Sequence, residues 1–268
     1  MNKHKNTFLA RLRNEGAVLV QITATEGSVP REAGTWMAVF AGEVVGTIGG
    51  GHLEYQAIAT ARQRLLGLAG EALSRVVLGP SLGQCCGGVV HLRFETVGAE
   101  DAPALALRLG ENLQPLALFG GGHVGHALVQ VLSSLPFALT WIDSRDGIFP
   151  DVVPEQVICE HSDPVQRAVP GLVPGSCVLI MSFSHAEDLD IVAECLKRQR
   201  EKGDLPYIGL IGSKTKWASF RQRLEARGFS AEERAQVTCP IGLPGIQGKE
   251  PEVIALSVVA QLLHARTT

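Results

Sequence analysis

Apolar and polar positions along this chain follow two different patterns. Residues 17–25, Ala-Val-Leu-Val-Gln-Ile-Thr-Ala-Thr, and residues 35–48, broken at Ala41-Gly42-Glu43, read as strands with a turn inside the second stretch. After Gly49-Gly50-Gly51 the period lengthens. Leu53, Ala57, Ala61 and Leu65 recur at helical spacing within His52–Leu66, and strand patterns return near 73–78 and 89–95. Residues 1–110 are predicted to form an α+β domain.

From residue 115 strand and helix patterns alternate: Pro115–Phe119, His123–Ser133, Phe137–Ile142, a helix near 163–168, Cys177–Phe183, His185–Arg200, Tyr207–Ile211 and Ser213–Arg227. Parallel strands need a long crossover, usually a helix, so this alternation predicts a doubly wound parallel sheet over residues 111–268. Residues 98–114, with Gly98, Pro103 and Gly110, read as the linker. A last helix, Glu250 to Ala265, can pack on either domain. No internal repeat or low-complexity tract is found in the sequence.

A length of 268 residues agrees with two domains at roughly 150 residues each. With 46% apolar and 19% charged residues, the composition is that of a chain that folds. The balance of 24 basic against 27 acidic side chains, with nine Phe, three Trp and two Tyr, supplies neither the basic footprint nor the stacking surfaces of a nucleic-acid binder. Lys3, Lys5, Arg11 and Arg13 are followed only by the short apolar run Ala17–Val20, and no stretch approaches the ~18 apolar residues of a membrane span. The expectation is a cytoplasmic protein with neither nucleic acid nor membrane as partner. Six cysteines, at 85, 86, 159, 177, 195 and 239, form no CxxC pair and fit reduced thiols. Cys177 and Cys195 fall within apolar patterns and read as core residues.

Thirty glycines are clustered where a backbone would line a loop. Gly120-Gly121-Gly122-His123-Val124-Gly125 satisfies G-x-G-x-x-G between a strand and a helix pattern, which makes the second domain Rossmann-like. In that pattern Gly120 permits the tight turn, Gly122 the close approach of a pyrophosphate, and Gly125 the packing of helix on strand. His123 opens the helix and can donate to an anion. Asp143, about 20 residues on, can accept a ribose hydroxyl, and Arg145 can equally receive a phosphate, which leaves NAD and NADP both open. The same glycines can also serve only as a turn.

Three further groups carry candidate chemistry. Gly83-Gln84-Cys85-Cys86-Gly87-Gly88 displays two thiols on a turn among small neighbours, where accessible backbone N–H groups lower a thiol's pKa. Adjacent cysteines neither chelate one tetrahedral ion nor pair with each other without strain, so one working thiol is expected, Cys86 before Cys85. Gly49-Gly50-Gly51-His52, with Glu54, forms a second glycine-rich strand-to-helix turn able to hold an anion. Ser182, Ser184, His185 and Asp188 fall where a parallel strand reaches its carboxyl end. Lys214, Lys216, Arg221, Arg223, Arg227 and Arg234 read as a solvated basic face, with an acidic partner as the alternative.

Taken in order, Gly27-Ser28-Val29-Pro30-Arg31-Glu32-Ala33-Gly34, Gly46 to Glu54, Gly83 to Gly88, Phe119 to Gly125, Ser184-His185, Tyr207 to Lys214, Cys239-Pro240-Ile241-Gly242 and Lys249-Glu250-Pro251 resemble the XdhC/CoxI family of molybdenum-hydroxylase accessory proteins over nearly the whole chain. The resemblance implies a chaperone that binds the molybdenum cofactor in its molybdopterin form. It implies protection of the cofactor during sulfuration by a cysteine desulfurase and delivery to apo-xanthine dehydrogenase. Cys86, with Cys85 as alternative, is then the candidate molybdenum ligand, and Gln84 a donor to a molybdenum oxo or pterin group. Gly87, Gly49, Gly50, Gly51, His52, Gly120, Gly122, His123, Gly125, Asp143 and His185 complete the expected cofactor-binding set. Val89 stands where relatives often carry a basic residue, which weakens a phosphate contact there. A homodimer is expected. Two other functions compete: an NAD(P)-dependent oxidoreductase using Gly120–Gly125, and a scaffold without a small-molecule ligand.

Overall fold

Ala17–Val20 is apolar at every position because its strand is covered on both faces. β1 (Ala17–Glu26) lies at the centre of a five-stranded antiparallel sheet with β2 (Trp36–Val39), β3 (Val44–Gly46), β4 (Leu73–Val77) and β5 (Val89–Val97) in the order β3-β2-β1-β5-β4. Val18, Val20 and Ile22 pack with Leu53, Ala57 and Ala61 of α2 (Gly51–Leu65), while Ala17 and Leu19 face the opposite layer. That opposite layer is α1 (Asn2–Leu12) and α3 (Ala102–Arg108), which contribute Phe8, Leu12 and Leu105. The computed structural model describes residues 2–68, 70–79, 87–110 and 113–266, in two compact units, Met1–Glu111 and Asn112–Thr268.

Two features of this unit differ from the sequence expectation. The stretch expected as a linker contains α3, which is short and holds Pro103 at its start, where a missing N–H costs nothing. Leu105 and the following Leu109 are buried beside Phe8, so tertiary burial rather than periodicity makes this segment helical. α1 was not anticipated either, since its polar sequence carries only a narrow apolar stripe.

The second unit holds β6 (Gln114–Phe119), α4 (His123–Leu132), β7 (Phe137–Asp143), β8 (Val157–His161), β9 (Cys177–Ile180), α5 (His185–Lys202), β10 (Tyr207–Leu210), α6 (Lys214–Ala226), α7 (Ala231–Arg234), β11 (Val237–Thr238) and α8 (Pro251–Arg266). The strands pair in parallel in the order β11-β10-β9-β6-β7-β8, and the winding reverses between β6 and β9. This is the Rossmann order. Ala117 and Phe119 point into a core with α5 and α6, and Leu116 and Leu118 into one with α4 and α8. Ala255, Val258, Val259 and Leu262 of α8 pack with Leu128 and Leu132 of α4, which places the last helix in this unit. The helix expected near 163–168 is a 3-10 turn, Val165–Gly171, with Pro170 inside it. β8 escaped the sequence reading because it is an edge strand with all but Val157 exposed.

Candidate functional site

In a doubly wound sheet, ligands bind beyond the carboxyl ends of the strands where the winding reverses. The turn after β6 occupies that place. Gly120 has φ +125°, and a Cβ there would strike the Met181 carbonyl oxygen beyond β9. A Cβ on Gly125 would strike the Gly120 carbonyl oxygen, which also accepts the Trp141 indole N–H at 2.9 Å. Gly122 differs: its Cβ would meet nothing within 4 Å. Gly122 also forms the N-cap of α4 without a side-chain hydrogen bond to the first turn, so those N–H groups face the open side, with His123 exposed beside them. Gly120, Gly122 and Gly125 thus occupy the three positions that a pyrophosphate cradle needs.

Asp143 ends β7 but is turned inward, with its side chain only 1% exposed. Its Oδ2 accepts the Gly121 N–H at 2.6 Å and Arg145 Nη2 at 2.9 Å, and its Oδ1 accepts the Arg145 N–H and Nε, both at 2.9 Å. Burial by itself would raise this carboxyl's pKa, but the Arg145 side chain and the Arg145 and Gly121 N–H groups together hold it below the ordinary value. The carboxylate expected to meet a ribose is therefore the anchor of the glycine turn. Arg145 remains 32% exposed, its guanidinium 4.8 Å from the Phe183 ring centroid. Glu187, in the first turn of α5, accepts the Ser144 hydroxyl at 2.7 Å through Oε1, while its buried Oε2 has no partner among the described residues.

Further along the same edge, Asp188 and Lys216 form a buried ion pair at 2.6 Å, with side chains 3% and 9% exposed. Ser182 donates to Asp188 Oδ1 through both its N–H (2.8 Å) and its hydroxyl (2.7 Å), and Lys216 Nζ also reaches the Ile211 carbonyl at 2.9 Å. Lys216 was read from sequence as part of a solvated basic face. Its position in the first turn of α6, directly over the end of β10, buries it instead. Cys239 lies beside this pair, and burial pushes its thiol up to about 11 despite the opposing field of Lys216. Ser184 caps α5 by accepting the Glu187 N–H at 3.2 Å. His185 is exposed, its ring edge-on to Phe220 at 6.3 Å. Its neighbours are those of a helix start.

In the first unit, Gly49, Gly50 and Gly51 all have positive φ, as their left-handed turn requires. The amides expected to hold an anion already have one. Glu54 Oε2 accepts the Ile48 and Gly50 N–H groups, both at 3.1 Å, and the Thr47 hydroxyl. His52 is exposed and lies 3.0 Å from the Gln56 amide nitrogen. A Cβ on Gly49 would lie 2.9 Å from Pro30 Cγ and 3.4 Å from Arg31 Cγ, which brings the exposed Arg31 to this turn. A Cβ on Gly88 would lie 2.5 Å from the carbonyl oxygens of both Glu26 and Ser28. Gly88 also donates to Ser28 O at 3.1 Å and accepts from Leu78 N at 2.8 Å. The segment Gly27–Arg31 therefore touches both the glycine triplet and the root of the cysteine loop. Gly87 is open on its Cβ side, whereas Gln84, Cys85 and Cys86, the candidate metal ligand included, lie outside the described residues.

Among the described residues no group of three or more His, Cys, Asp and Glu side chains is arranged to hold a metal ion, and no helix is long and apolar enough to cross a membrane. Cys177 and Cys195 are core residues.

Residues 116–262 match the profile of the XdhC Rossmann domain, and residues 10–75 that of the XdhC and CoxI family. An uncharacterized Escherichia coli (strain K12) protein, YqeB, is 26% identical over 272 residues, a match that covers 97% of this chain and 46% of YqeB. The chain thus spans about half the length of that curated relative. A crystal structure described as a xanthine dehydrogenase from Bacillus halodurans superposes with a TM-score of 0.76 at 20% identity, covering 98% of this chain and 96% of that one. The likeness establishes a shared fold.

Proposed function

Because this chain belongs to the XdhC/CoxI family, we propose that it is an accessory protein of xanthine dehydrogenase that carries the molybdenum cofactor as cargo. It holds the molybdopterin form, shields it while a cysteine desulfurase replaces a terminal oxo group with sulfur, and passes it to the apo-enzyme. The observation that carries this reading is the match of both halves of the chain, in order, to one family. Chemistry legible in the sequence supports it. Thiolates are soft ligands suited to a molybdenum head group, and in the sequence Cys85 and Cys86 directly precede Gly87-Gly88, of which Gly88 donates to the Ser28 carbonyl.

The test is the molybdenum and pterin content of the protein purified from cells that make the cofactor, beside Cys85→Ala and Cys86→Ala variants. Near-stoichiometric cofactor, lost in Cys86→Ala, is the expected result. Protein free of molybdenum and pterin would overturn the carrier reading, and full retention in both variants would remove the thiols from it.

A second ligand is favoured by one specific observation, the open Cβ position of Gly122 at an uncapped helix start. On this reading the Rossmann unit binds a nicotinamide dinucleotide of its own, whose pyrophosphate lies along Gly120–Gly125. Such a group supplies a hydride donor or acceptor when bound.

A further inference from the structure

In a Rossmann site the end of the second strand reads the adenosine ribose. A free carboxylate there accepts the 2′-hydroxyl, and a guanidinium nearby accommodates a 2′-phosphate. Both kinds of residue stand at the end of β7, and the structure separates them. A carboxylate has about four acceptor positions. Those of Asp143 are filled by the Gly121 N–H, the Arg145 N–H, Nε and Nη2, at 2.6 to 2.9 Å, on a side chain that is 1% exposed. A ribose hydroxyl would have to break this set, and with it the tie that holds the glycine turn.

Arg145 is the group left facing outward. Two of its N–H donors bind Asp143, which fixes the guanidinium in place, and among the described residues no other hydrogen-bond partner engages the remainder of the fork, which can meet a second anion. Its plane is supported by the exposed Phe183 ring. Because Gly121 and Arg145 donate to the same Asp143 oxygen, the guanidinium lies next to the glycine cradle. Glu187 also faces Arg145, and its Oε1 is engaged by Ser144.

We propose that the Rossmann unit binds a nucleotide phosphorylated on its ribose, of the NADP class, with Arg145 holding the 2′-phosphate and Asp143 positioning Arg145. The proposal rests on the nucleotide reading of Gly120–Gly125 and is independent of the carrier reading.

Calorimetric titration of the full chain with NADP⁺, NAD⁺ and adenosine 2′,5′-bisphosphate tests it. A charge-assisted hydrogen bond makes NADP⁺ bind about tenfold or more tighter than NAD⁺, with adenosine 2′,5′-bisphosphate competing for the same site. Arg145→Ala weakens NADP⁺ binding far more than NAD⁺ binding and so abolishes the preference, a selective loss that misfolding, which weakens both alike, does not produce. NAD⁺ binding as tightly as NADP⁺ to the unaltered protein would overturn the proposal while a nucleotide reading stands. Absence of binding by all three would overturn both. The phosphate tail of molybdopterin carries the same phosphomonoester chemistry, and cofactor-loaded protein distinguishes the two sources. Retained molybdenum and pterin in Arg145→Ala supports the nucleotide, whereas their loss would assign the guanidinium to the cargo and overturn the proposal.

Discussion

Replacing Gly122 and Gly125 by alanine, one at a time, separates a glycine that serves the ligand from one that serves the fold. At Gly125 the added Cβ meets the Gly120 carbonyl, which is backbone and already accepts the Trp141 indole N–H. Overpacking of this kind costs about 1–3 kcal/mol, and loss of the buried indole bond adds about 1–3 kcal/mol. Alanine's better helix propensity returns about 1 kcal/mol. The net is a destabilisation of about 1–5 kcal/mol, or a melting point lowered by roughly 2–20 °C for a unit of this size. At Gly122, φ is −79° and ψ −175°, a conformation any residue adopts, and the new Cβ meets nothing within 4 Å. Reduced freedom of the unfolded chain stabilises by about 0.4–1 kcal/mol, and alanine's poorer N-cap preference offsets it, so stability stays within about 1 kcal/mol. Circular-dichroism melts with dinucleotide titration check both variants. Gly122→Ala should melt like the unaltered protein and lose nucleotide affinity. An unchanged melt for Gly125→Ala, or a collapse for Gly122→Ala, would refute the assignment of the two glycines.

Other consequences follow from the buried charges. The Asp143 pKa is held below its unfolded value, so its stabilisation is present above the ordinary carboxylate pKa and is lost as pH falls through the lowered folded-state value. Asp143→Asn should therefore be less stable than the parent near pH 7 by about 1–3 kcal/mol, with the difference shrinking in acid unfolding below about pH 4. Lys216→Ala leaves Asp188 buried without its cation and should cost about 3–5 kcal/mol in urea denaturation, and a cost below about 1 kcal/mol would show the pair to be solvated.

The alternation of strand and helix patterns after residue 115 and the G-x-G-x-x-G turn were enough to read the parallel sheet and its Rossmann-like character. Their signals are local: each depends on residues within one or two turns of chain. α3 and β8 were missed because neither has a period of its own. One is helical because Leu105 is buried against Phe8, and the other is a strand because β7 pairs with it. The residue types of the candidate site stand in the sequence, but the partners of their side chains do not. Glu54 reads from sequence as part of a turn able to hold an anion, yet its own carboxylate accepts the Ile48 and Gly50 N–H groups of that turn. Lys216 passed as a surface charge because Lys214, Arg221 and Arg223 share its helix.

By itself the sequence determined the strand and helix patterns of the second unit, the central strand of the first, and which family the motifs resemble. Only the tertiary structure decided which donor meets which acceptor. Gly121 and Asp143 are 22 residues apart, and Lys216 and Asp188 are 28 apart. Hydrogen bonding and desolvation act over a few ångströms in space, so whether a charged side chain is an open binding group or an internal anchor depends on strands that the sheet brings side by side.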